Sequence, residues 1–128
     1  MNINTHKLID RQLCGTPVEF KNGFSQIKLL TTERMIVDDY NLVHGAFVFG
    51  LADHAAMLAV NDPNVVLSSA SVKFLKPVQV DEVLTAEAHV VKVEGKKQNV
   101  HVKVLRDSES VFEGDFVCFT LTKHVLDS

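Results

Sequence analysis

The chain has 128 residues, 46% of them hydrophobic and 23% charged, and 13 Lys and Arg against 16 Asp and Glu give a net charge of −3. A chain of this length supports one domain that hides roughly two-thirds of its unfolded surface, so no disulfide or metal staple is needed. The apolar content excludes disorder, and the lack of a basic excess argues against a nucleic-acid partner. The N-terminal sequence MNINTHKLIDRQL has no apolar run of signal-peptide length. The most apolar stretch, 45–52, is interrupted by Asp53 and His54, well short of the ~20 residues that cross a bilayer. Cys14 and Cys118 match no CxxC spacing and read as reduced, packed thiols. Together these features predict a cytoplasmic protein with no membrane association.

In chain order, residues 1–17 read as an N-terminal segment and 18–128 as a single domain. A short polar helix is predicted over 1–15, ended by Gly15-Thr16-Pro17. Alternation of Ile27, Leu29, Met35 and Val37 predicts a long first strand over 24–37. Residues 65–76 alternate too, with Val66, Ala70, Val72 and Phe74 on one face, until Pro77 stops them. Leu84, Ala86, Ala88 and Val90 mark a strand over 83–93. A turn at 94–98 leads to Val100, Val102 and Val104, and a turn at 106–110 leads to a last strand over 111–122.

The segment 44–60, HGAFVFGLADHAAMLAV, lacks strict alternation and is apolar on nearly every side, so it predicts a buried helix. The fold class is α+β: one long helix wrapped by a curved antiparallel sheet of about five strands. One helix cannot cover both faces of such a sheet or pair its edges. A homodimer joined through edge strands is therefore expected, with pairing into a tetramer left open.

Asp53 is the residue with most chemistry to explain. A carboxylate in an apolar helix is costly to bury unless it is paired or serves a site. At 100° per residue it shares its face with Ala46, Phe49, Gly50 and Met57, and the small Ala46 and Gly50 predict a shallow slot leading to it. The alternative is a structural carboxylate held by a Ser or Lys. His54 points about 100° away around the helix, which predicts a packed histidine and no dyad. His6, His89, His101 and His124 show no metal-ligand spacing, so neither metal nor cofactor is expected.

The element order, with a long helix between the first and second strands, resembles the hotdog fold over roughly residues 18 to 123. Within it, Asn41-Leu42-Val43-His44-Gly45-Ala46 followed by Leu51-Ala52-Asp53 resembles the signature of the phenylacetic-acid-type acyl-CoA thioesterases. In that family a loop Asn precedes His-Gly-Gly, and an acidic residue follows nine positions after the His. The strand from Ser68 to Val78, SSASVKFLKPV, and Val83-Leu84-Thr85-Ala86 continue the likeness. Ala46 departs from it, standing where the family has a second glycine.

The resemblance implies thioester hydrolysis with acyl-CoA as substrate or ligand. Asp53 would act as general base on water or attack the carbonyl directly. The Gly45 N–H, with that of Ala46, would supply an oxyanion hole at the helix start, and His44 and Asn41 would orient substrate and water. Ser68, Ser69 or Ser71, on the strand that would face a neighbouring subunit's helix, would hold water or bond Asp53 across the dimer interface. Lys73 and Lys76, with Lys96 and Lys97, would meet coenzyme A phosphates, and a tunnel beside Phe47, Phe49 and Leu51 would take the acyl chain.

Two further readings share these residues. Asp39-Tyr40-Asn41-Leu42-Val43-His44 is similar to the D-x-N-P-V-H segment of R-specific enoyl-CoA hydratases, departing from it at Asp38 and Leu42. A non-catalytic acyl-CoA binding or sensing module is the third; it would act through a protein partner, because the chain leaves no room for an attached helix-turn-helix.

Overall fold

A computed structural model describes residues 1–127. The elements in order are α1 (Arg11–Cys14), β1 (Thr16–Lys21), β2 (Phe24–Leu30), a 3-10 turn (Glu33–Met35), α2 (Gly45–Val60), β3 (Val65–Phe74), β4 (Val83–Glu94), β5 (Lys97–Arg106) and β6 (Glu109–Thr120). The six strands form one sheet in the order β1-β2-β4-β5-β6-β3, with every neighbouring pair antiparallel. The long helix lies against this curved sheet, which is the hotdog arrangement. Among the described residues no helix is long and apolar enough to cross a membrane.

The core sits between α2 and the inner faces of β2, β4, β5 and β6. Ile27, Leu84, Ala86, Ala88, Val100, Val102, Val104, Phe112 and Phe116 are all fully buried there. The predicted alternation in β4 and β5 is therefore the one the sheet uses. Along α2, nine residues between Val48 and Ala59 are buried. Ser25 fastens the middle of that helix to β2, its Oγ donating to the Ala55 carbonyl at 2.6 Å.

Four expectations change. The sheet has six strands, because Thr16–Lys21 pairs with β2 as an additional edge strand. The predicted 1–15 helix is confined to Arg11–Cys14, capped by Asp10 accepting from the Gln12 and Leu13 amides.

The predicted 24–37 strand ends at Leu30. There the Thr31 hydroxyl turns inward, donating to the Gln79 carbonyl at 2.7 Å and accepting from the Glu82 amide at 2.9 Å. In β3 a bulge between Leu67 and Ser69 resets the pleat. As a result Leu67, not Val66, shares a face with Ala70, Val72 and Phe74 opposite Cys118, Phe116, Gly114 and Phe112.

Candidate functional site at the start of the long helix and at Asp53

Residues 38–44 place the helix start. Asp38 Oδ1 accepts from the Tyr40 and Leu42 amides at 3.0 and 3.2 Å, and Asn41 takes a left-handed conformation with φ 64°. Asn tolerates that region better than most residues. The Val43 amide then donates to Val78 and the His44 amide to Met35, both at 2.8 Å. His44 is the N-cap in extended conformation and makes no side-chain cap bond. Among the described residues no backbone acceptor outside α2 takes the Gly45 or Ala46 N–H, as the opening turn of a helix requires. The helix dipole places partial positive charge at the same point.

Beside this turn lies an open cavity of about 350 Å³ walled by Leu42, Val43, Gly45, Val48, Phe74 and Val111. Phe74 is 55% exposed and packs edge-on against Phe112 with ring centroids 5.1 Å apart. A Cβ at position 45 would stand 3.1 Å from the Phe74 ring, so glycine lets that ring lie over the opening of the helix.

Asp53 is mostly buried, and its Oδ1 has no hydrogen-bond partner. Burial raises its pKa from 3.8 to about 6. Its charge in turn adds to the burial that pushes the Cys118 thiol up to about 12, and it raises the Cys14 thiol as well. Neither Ser68 nor Ser69 bonds it; both are exposed on β3, as are Ser71 and Lys73. The neighbouring His54 is buried and its Nδ1 pairs with the Cys14 carbonyl at 3.0 Å. Burial lowers its pKa, with the charges of His6 and Arg11 adding to the effect.

Within one chain the structure does not bring the candidate groups together. Gly45 and Asp53 are eight residues apart on one helix, which is about 12 Å along its axis. A reacting carbonyl needs donor and base each within about 3 Å. Asn41 and His44 are exposed, and His44 packs edge-on against Phe47 at 6.2 Å.

The other candidate residues have these surroundings within one chain. The slot at Gly50 faces Cys14, whose Sγ lies 3.8 Å from where a Cβ would sit. Leu51 is fully buried, and the partly buried Phe49 packs on Phe116 with ring centroids 5.5 Å apart. Lys73 and Lys97 stand opposite Glu113 and Phe119 of β6, six residues and about 20 Å apart. They do not form one cluster with Lys76 and Lys96. Among the described residues no group of three or more His, Cys, Asp or Glu is placed to hold a metal ion.

Residues 40–113 match the family described as the thioesterase superfamily. The chain belongs to the thioesterase superfamily. A crystal structure of an uncharacterized protein, PH1136, from Pyrococcus horikoshii is 52% identical, covers 99% of this chain and 98% of its own, and superposes with a TM-score of 0.98.

Two curated relatives carry different names. The methylthioribose-1-phosphate isomerase of Aquifex aeolicus is 48% identical over 91% of this chain, and the transcription factor FapR of Caldanaerobacter subterraneus subsp. tengcongensis is 26% identical over 93% of it. The chain spans 25% of the first protein's length and 60% of the second's. The sequence signature of this superfamily member, Asn41 to Asp53, falls inside the matched segment.

Proposed function

We propose that the chain is an acyl-CoA thioesterase whose site is completed between two copies. The helix start of one copy and Asp53 of the other act on the same thioester. The observation that carries this reading is the Asp53 carboxylate, mostly buried with one oxygen unpartnered and its pKa raised to about 6. A carboxylate in that state accepts a proton near neutral pH. The 12 Å separation along the helix is why a second copy is needed.

Asp53 takes a proton from water as the water oxygen attacks the thioester carbonyl carbon. The resulting oxyanion is held by the Gly45 and Ala46 N–H groups and the helix dipole. Collapse breaks the carbon–sulfur bond, and the proton on Asp53 passes to the leaving thiolate, giving a carboxylic acid and free thiol. The cavity under Phe74 takes the acyl group. Ala46 keeps the amide that its position requires, and its exposed methyl leaves room for the thioester.

Thiol release from a panel of acyl-CoAs, compared between the natural chain and Asp53→Asn, tests this. A loss of about 100-fold or more in kcat/KM is expected. Retained hydrolysis in Asp53→Asn would exclude the mechanism.

The match to a protein named as a transcription factor favours a second, non-catalytic reading, in which the chain binds an acyl thioester without turning it over. Binding of acyl-CoA without thiol release from any member of the panel would select it. Only a quarter of the isomerase is matched, and that protein's activity is not carried over. The hydratase reading has no comparable support: Asp39 is exposed, and it is Asp38 that holds the turn.

A further inference from the structure

We infer that a cleft between α1 and the free end of β2 binds a phosphate-bearing anion, gripped by Arg11, Lys28 and Arg34. The cleft has a volume of about 420 Å³ and draws on four elements. Arg11 and Gln12 come from α1, Thr16 from β1, Lys28 from β2, and Thr32 and Arg34 from the 3-10 turn and the residue before it.

No carboxylate lines it. None of the three cations is within ion-pair distance of an acidic group among the described residues. The nearest acidic residues in sequence are engaged elsewhere or outside the lining. Asp10 caps α1 through its Oδ1, and Glu33 is exposed but does not line the cleft. In a chain of net charge −3, three uncompensated cations around one concavity focus positive potential there.

The donor set suits phosphate in particular. Two guanidinium groups present planar forks that match pairs of phosphate oxygens, and the lysine adds a compact charge. Gln12, Thr16 and Thr32 add neutral donors at the rim. The sheet edge is open at the same place: β1 pairs with β2 only as far as Thr16 opposite Lys28, and Leu29 and Leu30 beyond it line the cleft. Three charges cannot track a nucleic-acid backbone, so a small phosphate ester or phosphate itself is the ligand class.

Helix α1, which forms one wall of the cleft, also packs on α2, where the His54 Nδ1 pairs with the Cys14 carbonyl at 3.0 Å. Arg11 lies close enough to His54 to lower its pKa. Cys14, on the same short helix, lies beside Gly50 and within the field of Asp53. The inference stands on this geometry and does not require thioester hydrolysis.

Isothermal titration with coenzyme A, adenosine 3′,5′-bisphosphate and inorganic phosphate tests it. The proteins are the natural chain, the triple variant Arg11→Gln/Lys28→Gln/Arg34→Gln, and the control Lys92→Gln/Lys123→Gln at exposed lysines outside the cleft. All the substituted side chains are at the surface or half-buried, so thermal melts of the three proteins should coincide. Binding that weakens with salt, falls at least ~10-fold in the triple variant and is unchanged in the control is the expected result. Tight binding of coenzyme A and the bisphosphate with weak inorganic phosphate assigns the nucleotide end of a thioester carrier. Equal binding of all three assigns the phosphate group alone. Failure of all three ligands to bind, or equal affinity in the triple variant, overturns the inference.

Discussion

Replacing Asp53 with Asn should stabilise the protein while it abolishes turnover. Burial moves the Asp53 pKa from 3.8 to about 6, so the folded state holds the proton more tightly than the unfolded chain does. Between these two values folding takes up a proton, and stability therefore falls as pH rises. Above about pH 6 the buried charge costs its full amount, about 3 kcal/mol. Asn removes that cost and adds a buried amide short of partners, worth about 1 kcal/mol. A net gain of about 2 kcal/mol at pH 8 corresponds to a melting temperature higher by roughly 6–10 °C for a domain of this size. Thermal melts of both proteins from pH 4 to pH 8 should show this gap at pH 8 and its closure by pH 4. In parallel, kcat/KM of the natural chain should rise with pH through about 6 and level off above it. If Asp53→Asn melts lower than the natural chain at pH 8, the carboxylate is not an uncompensated buried charge and the reasoning fails.

Three further outcomes follow from packing around the site. Phe74→Ala, at a half-exposed ring, should open the cavity beside Gly45 and move the preferred acyl chain of the proposed hydrolysis to greater length; an unchanged chain-length profile would remove the acyl group from that cavity. Gly114→Ala would put a Cβ 2.6 Å from Val72 and 3.0 Å from the Ser71 carbonyl, and urea unfolding should show a loss of about 1–3 kcal/mol. Arg106 bonds the Pro77 carbonyl, Glu82 and Glu109, and Glu82 in turn accepts from the Gln79 amide. Arg106→Ala should therefore loosen the 77–82 segment that hydrogen-bonds residues 41–43, costing about 1–2 kcal/mol and lowering kcat more than it changes KM. Arg106→Lys should not restore it, since an ammonium lacks the fork that spans the acceptors.

The parts of this fold legible in the sequence are those whose signal is local. β4, β5 and β6 announce themselves because every second residue is apolar and the turns between them are short. The helix is legible because sixteen residues without alternation cannot make a one-sided strand, and Asp53 is conspicuous inside it. β1 is hidden because it is an edge strand in which no residue is buried, which leaves no period to read. The end of β2 is set by the Thr31 hydroxyl, whose partners at Gln79 and Glu82 lie about fifty residues away. The bulge in β3 inverts a face that strict alternation would have kept. Similarly, Cys14 occupies the space beside Gly50, and the cavity beside Phe74 joins residues from three stretches of the chain. Contacts of that range leave no periodic trace in sequence.

The central claim is that each site draws its oxyanion donors from one copy and its carboxylate from another. Gly45→Pro removes the donor N–H at a position where proline suits the helix start and displaces the half-exposed Phe74 ring that a Cβ there would meet at 3.1 Å, and Asp53→Asn removes the base. The direct measurement is thiol release after the two variants are co-expressed and allowed to assort. A shared site predicts that each variant alone is inactive and that the mixture recovers about a quarter of natural activity, since half the dimers are mixed and each has one intact site. A mixture as inactive as either variant alone would place both groups in one chain and contradict the account.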